Sequence, residues 1–231
     1  MDRLAAVCEE IQSHASRLKK VAILAAYLKS LDDRELAIAV QFLSVGPVAR
    51  ASTNHTLFEV EDKAELKIGG SVLHDALRVA SGWDKQTLSV CYAQVGDIGE
   101  TISLLMRGLS TETSLTLQAA DDIYQELFQA RTTARRVAIL VAAFRACRPL
   151  TLKYFVKVIT RGLRIGLMSR QVEEAVAAAC EEPSEAVRAA NNRLGDLARV
   201  AVAARHGQLS SIEARLFHPM DFMLAKPLDH I

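Results

Sequence analysis

Aromatic side chains are scarce in this chain: they make up 5% of its 231 residues and include one tryptophan. Proline (5) and glycine (11) are also sparse. Sandwiches and barrels need turn residues at short intervals and favour aromatic strands, so this composition speaks against them. Alanine, leucine and valine dominate instead, which is the make-up of an all-α protein. Long apolar runs are missing too. None approaches the ~18 residues of a membrane span, and the opening stretch MDRLAAVCEEIQ carries acids within its apolar part. A soluble, cytoplasmic protein is expected, nucleoid-associated if bacterial. The four cysteines (Cys8, Cys91, Cys147, Cys180) form no Cys-x-x-Cys pair and are read as reduced thiols filling helix faces. The six histidines show no His-Glu-x-x-His or similar ligand spacing, so no metal site is expected.

Acidic residues are missing from two long blocks. No Asp or Glu lies between Phe128 and Val172, a segment holding Arg131, Arg135, Arg136, Arg145, Arg148, Lys153, Lys157, Arg161, Arg164 and Arg170. None lies between Ile11 and Leu31 either, where Arg17, Lys19, Lys20 and Lys29 occur. A formal net charge of +1 therefore hides two basic blocks, the footprint expected of a phosphate-binding face.

What is present is a repeat. KKVAILAAYLKSL (Lys19–Leu31) returns as RRVAILVAAFRAC (Arg135–Cys147), and subtracting 19 from 135 gives an offset of 116. The same offset pairs Leu36 with Leu152, Val40 with Val156 and Gly46 with Gly162. Beyond the polar segment Pro47 to Lys67, read as a loop, the offset becomes 99. It then pairs Leu73 with Val172, Ala76 with Ala175 and Val95-Gly96-Asp97 with Leu194-Gly195-Asp196. A duplicated unit explains both offsets, with repeat one at about 1–106 and repeat two at about 115–207. Each unit reads as amphipathic helices: Leu4, Val7, Cys8 and Ile11 share one face, Val21, Leu24, Leu28 and Leu31 another. SHAS and LDDR fit the turns between helices, where Ser and Asp cap exposed amides.

Each copy places basic residues in the first turn of a helix, against the macrodipole, after a hydroxyl: Ser16 before Arg17, Lys19 and Lys20, and Thr132-Thr133 before Arg135 and Arg136. Free amides, a hydroxyl and two cations together make a phosphate seat. In TRGLRIGL (Thr160–Leu167), Gly162 and Gly166 allow close backbone approach, while Arg161 and Arg164 reach phosphates or a narrow groove. Its counterpart in the first copy is split into SVGP, with Gly46, and KIGG, with Gly69 and Gly70.

SRLKKVAIL, VGDIGE, TTARRVAIL, KYFVKVITRGLRIGL and HPMDFMLAKP, in that order, resemble the N-terminal DNA-binding domain of ATP-dependent DNA ligases along essentially the whole chain. The last segment departs from that family's linker by carrying Asp221-Phe222. The resemblance implies two pseudo-symmetric helical repeats forming one DNA-binding domain, residues 1–215. Residues 216–231 would be a linker towards an absent nucleotidyltransferase domain. It implies sequence-independent binding of nicked double-stranded DNA across the minor groove, by a monomer that helps the parent's catalytic domains encircle the duplex. The family's DNA contacts carry over to Arg17, Thr133, Arg135, Arg136, Arg161, Gly162, Arg164 and Gly166, and to Gly46, Gly69 and Gly70. The adenylation motif Lys-x-Asp-Gly does not occur in the sequence. No ligase activity is therefore expected of the chain by itself, and ATP and magnesium belong to the parent enzyme.

Two other readings stand beside this one. A helical-repeat scaffold binding a protein partner needs three or more repeats as a rule, and only two are visible. A helical enzyme of the prenyl synthase kind needs paired carboxylate clusters, whereas ADDIYQE (Ala120–Glu126) lacks such a pair.

Overall fold

The computed structural model describes residues 1–49, 66 and 68–213. The expected linker at 216–231 and most of the loop between Pro47 and Lys67 lie outside the described residues.

The described chain is all α, with no strand; an isolated bridge joins Thr113 and Cys147. The first half forms α1 (Asp2–Ser13), α2 (Arg17–Lys29), α3 (Asp33–Ser44), α4 (Gly70–Ser81), α5 (Lys85–Val95) and α6 (Ile98–Leu105). The second forms α7 (Leu117–Gln129), α8 (Thr133–Ala146), α9 (Pro149–Ile159), α10 (Ser169–Cys180), α11 (Ser184–Leu194) and α12 (Leu197–Arg205). A short 3-10 turn, Leu209–Ser211, follows. No helix among the described residues is long and apolar enough to cross a membrane.

Local chemistry sets the boundaries. Ser16, Asp32, Asp84, Asp97, Thr116, Thr132 and Asp196 each stand at an N-cap and accept from the amide three residues on. The breaks in SHAS and LDDR are two of these. Gly82, Gly96 and Gly195 end their helices in the left-handed conformation. Helix starts keep the sequence offsets: α2 and α8 begin at 17 and 133, α3 and α9 at 33 and 149, α4 and α10 at 70 and 169.

The most extensive packing crosses between the halves. α2 lies on α10 and α4 on α8; α6 lies on α9 and α12 on α3; α1 lies on α9 and α7 on α3. The halves are thus interleaved rather than set side by side. At the centre Tyr124 of α7 stacks on Phe155 of α9 (centroids 4.7 Å apart) and meets Phe42 of α3 edge-on at 5.2 Å. The Tyr124 hydroxyl donates to the Phe155 carbonyl at 2.9 Å, so its burial leaves no polar atom unsatisfied.

One expectation needs correction here. Lys153 and Lys157 belong to the acid-free block, yet neither faces solvent: they are 5% and 3% exposed. α9 packs against both α1 and α6, and its two lysines turn into that packing. Lys153 Nζ meets Glu9 at 2.6 Å and Glu100 at 2.7 Å, and Lys157 Nζ meets Asp97 at 3.0 Å. These two cations hold helices together rather than forming part of an external basic face.

Candidate nucleic-acid interface

α2 and α10 run in the same direction. Arg17, at the head of α2, pairs with Glu174 early in α10, and Lys29, at the foot of α2, pairs with Glu181 just past the end of α10. α8 and α4 match them: Arg145, near the foot of α8, donates to the carbonyls of Val79 (2.8 Å) and Ala80 (3.5 Å) near the foot of α4. The head of α2 is therefore fastened to α10 and to the turn before it, while α8 and α4 are fastened at their feet.

At the α2/α10 joint, Ser16 Oγ accepts from the Lys19 amide at 3.4 Å. The Lys20 ammonium donates to the carbonyls of Ile165 (3.3 Å) and Gly166 (3.2 Å), inside TRGLRIGL. Gly166 has φ +70°, a conformation that favours glycine, and the Lys20 ammonium occupies the space beside it. Arg170 approaches Glu174 at 3.8 Å. Sequence reasoning missed Glu174, because an acid inside an amphipathic helix gives no sign of the cations it will organise.

The turn then leads back to the end of α3. Gly46, with φ +77°, is buried; a Cβ there would stand 3.3 Å from the Val158 carbonyl and 3.5 Å from Arg161 Cγ. Equivalent backbone bonds close both helix ends: Gly46 N–H to Gln41 at 2.9 Å, and Gly162 N–H to Lys157 at 2.8 Å. The residues in the left-handed region here include two arginines, Arg161 (φ 54°) and Arg164 (φ 42°). L-residues with a Cβ avoid that region at a cost of roughly 1–2 kcal/mol each, and such strain gathers at functional sites. Both side chains are exposed, and Arg164 has no hydrogen bond or ion pair among the described residues.

The line of contacts continues to the α8 head. Past Gly46, the Val48 carbonyl accepts from Gln125 of α7 at 2.9 Å. The next residue, Glu126, lies 3.7 Å from Arg135. Arg136 Nε donates to Ala130 at 3.1 Å, and Thr132 Oγ1 caps the Arg135 amide at 3.2 Å, leaving Thr133 exposed at the first helical position. A chain of contacts thus joins Arg17, Lys20, Gly166, Arg161, Gly46 and Arg135, which lie far apart in sequence. Gly69 and Gly70, by contrast, cap and start α4 without crowding: nothing stands within 4 Å of a Cβ at Gly70, and only Ser71 Oγ, at 3.7 Å, near one at Gly69. Gly162 likewise meets only its neighbour Thr160 Oγ1, at 3.3 Å.

No group of three or more His, Cys, Asp or Glu among the described residues could hold a metal ion. Cys8 and Cys147 are buried free thiols, pushed up by burial to about 12 and about 11.

Comparison with known proteins identifies the family. A DNA ligase from Koribacter versatilis, described as probable, is 35% identical over 99% of the chain. A DNA ligase from Methanoculleus marisnigri is 30% identical over 96% of it. The chain spans only 38% and 40% of those relatives' own lengths. The family model for the DNA ligase N terminus matches residues 1–177, and the chain belongs to that family.

Proposed function

We propose that this chain binds nicked duplex DNA, independently of sequence, as the non-catalytic N-terminal part of an ATP-dependent DNA ligase acting in repair or replication. The observation that carries the reading is the strained TRGLRIGL turn, which holds Arg161 and Arg164 outward in the left-handed conformation between two cation-headed helix joints. Arg17, Lys19, Arg135, Arg136, Arg161 and Arg164 supply phosphate contacts. Lys20 acts mainly as a strut, since two carbonyls already occupy its ammonium. The glycines shape the turns, and Thr133 stands at the α8 head beside the arginines.

The matched cross-packing of α2 on α10 and α4 on α8 supports reading the halves as copies about an approximate twofold axis, an arrangement suited to the two antiparallel strands of a duplex. Without a Lys-x-Asp-Gly motif, the chain cannot take AMP from ATP and has no ligase activity of its own. ATP and magnesium are handled by the parent's catalytic domains, with which this monomeric domain closes around DNA.

Titrating fluorescent nicked duplex at several salt concentrations tests the reading. Binding should weaken steeply with salt, and Arg135→Ala/Arg136→Ala/Arg164→Ala should lower the log–log slope by about 0.9 for each phosphate the variant no longer neutralises. An absence of duplex binding, or an unchanged slope in the triple variant, contradicts it. Absence of binding would favour the protein-binding scaffold.

A further inference from the structure

Two large apolar side chains are far more exposed than any other among the described residues: Leu18 at 80% and Met168 at 77%, with Val90 next at 51%. Both stand at the α2/α10 joint. Leu18 lies in the first turn of α2, between Arg17, paired with Glu174, and Lys20, bonded to Ile165 and Gly166. Met168 is the N-cap of α10, two residues past Gly166. Neither residue helps its own helix. An N-cap favours Ser, Thr, Asp or Asn; at α10 a methionine stands there instead, and Gln171 Oε1 accepts from its amide at 2.7 Å. Leu18 occupies a first-turn site open to water.

The offsets of 116 and 99 place Ala134 and Gly69 at the corresponding positions of the α8/α4 joint. Only one of the two joints therefore carries an apolar tip. Its surroundings are rich in cations: Arg17, Lys19, Lys20, Arg164 and Arg170 belong to the same two segments, and Arg17 and Arg170 share Glu174. Carbon flanked by cations matches a surface of carbon flanked by phosphates, which is what the deoxyribose walls of a DNA minor groove present.

We propose that Leu18 and Met168 seat in the minor groove against the deoxyribose faces, anchoring the α2/α10 joint and favouring DNA over RNA. This rests on the DNA-binding reading above. Apolar side chains pack poorly where a 2′-hydroxyl must stay hydrated, and the wide, shallow minor groove of A-form RNA offers no matching walls. The pair also makes the two joints unequal, so that an otherwise near-symmetric surface has one orientation on the duplex.

The test compares the full chain with Leu18→Gln/Met168→Gln, using anisotropy with nicked DNA and RNA duplexes of one sequence across a salt series. Both positions are exposed and glutamine is a good helix former, so the variant folds; a melting curve checks this, and Leu18→Ala/Met168→Ala serves as a second variant. DNA affinity should fall about tenfold, the worth of burying one such side chain. The salt slope should stay unchanged, and the preference for DNA over RNA should shrink by a similar factor. Unaltered affinity and preference overturn the proposal while leaving the DNA-binding reading intact. A lower slope overturns it as well, by assigning the weaker binding to displaced cations. Failure of the unmodified chain to bind either duplex removes the reading and the proposal together.

Discussion

A methyl group at position 99 meets the Lys153 carbonyl at 2.7 Å and Lys157 Cγ at 2.9 Å. Gly99 is the point where α6 comes close enough to α9 for Asp97 and Glu100 to reach those two lysines. Gly99→Ala should therefore destabilise the protein by about 1–3 kcal/mol, as overpacking does, whereas Gly70→Ala, in open space at a helix start, should be neutral within about 0.5 kcal/mol. Chemical denaturation of both variants checks the contrast. The lysines behave as a unit with their acids. Burial by itself lowers the Lys153 ammonium, but its hydrogen bonds to Glu100 and Glu9 outweigh this and hold it above its ordinary value. Glu100→Ala leaves Lys153 its bond to Glu9, so it should cost roughly 1.5–3 kcal/mol, the worth of a hydrogen bond to a charged group, and Lys153→Met less, which equilibrium unfolding would resolve. None of this was legible in the basic block, because lysines bound for carboxylates and lysines bound for phosphates look alike in sequence.

The helices differ in how strongly they are held. α9 is buried from Thr151 to Ile159, whereas α5 buries only Leu88 and leaves Val90 and Tyr92 exposed. Amide exchange should therefore be fastest among the helices in α5 and slowest in α9, and comparable protection of the two would count against this. The same weakness explains why α5 left little trace in the sequence: a helix with one buried residue has no apolar stripe to detect. α10 offers the opposite kind of test. Met168→Ser adds a side-chain oxygen at the N-cap, opposite the bond Gln171 already makes to the amide of residue 168, and should stabilise the fold by about 1 kcal/mol, read as a raised denaturation midpoint. A position where the stabilising residue is easily supplied, yet an exposed apolar one stands, is where a trade between stability and function is expected.

Interleaving makes the molecule one cooperative unit. Asp2 of α1 accepts from Ser114 at 2.9 Å and from Thr151 at 2.6 Å, Glu9 holds Lys153 and Tyr154, and Asp97 holds Lys157; each link crosses between the halves. Partial burial alone would raise these three carboxyls. Hydrogen bonds to Asp2 from Thr151 and Ser114, to Glu9 from Lys153 and Tyr154, and to Asp97 from the Glu100 amide and Lys157 outweigh it and lower all three. A lowered carboxylate contributes stability that is complete above its ordinary range and is lost as pH falls through its folded value. The melting temperature should thus hold through neutral pH and drop below about pH 4, in a single transition for both halves. Two separate transitions would contradict the cooperative packing.

Residue pattern alone determined the helical class, the capped breaks at Ser16 and Asp32 and the 116 and 99 offsets, because periodicity and caps act over a few neighbouring residues. It also marked the candidate cations and five turn glycines, of which Gly46 and Gly166 take the left-handed conformation. Only the tertiary structure decided that Lys153 and Lys157 turn inward, that Glu174 orders the α2/α10 joint, and that Gly46 packs on Arg161. Those outcomes depend on which helices of opposite halves meet, and long-range pairing leaves no local signature in the chain.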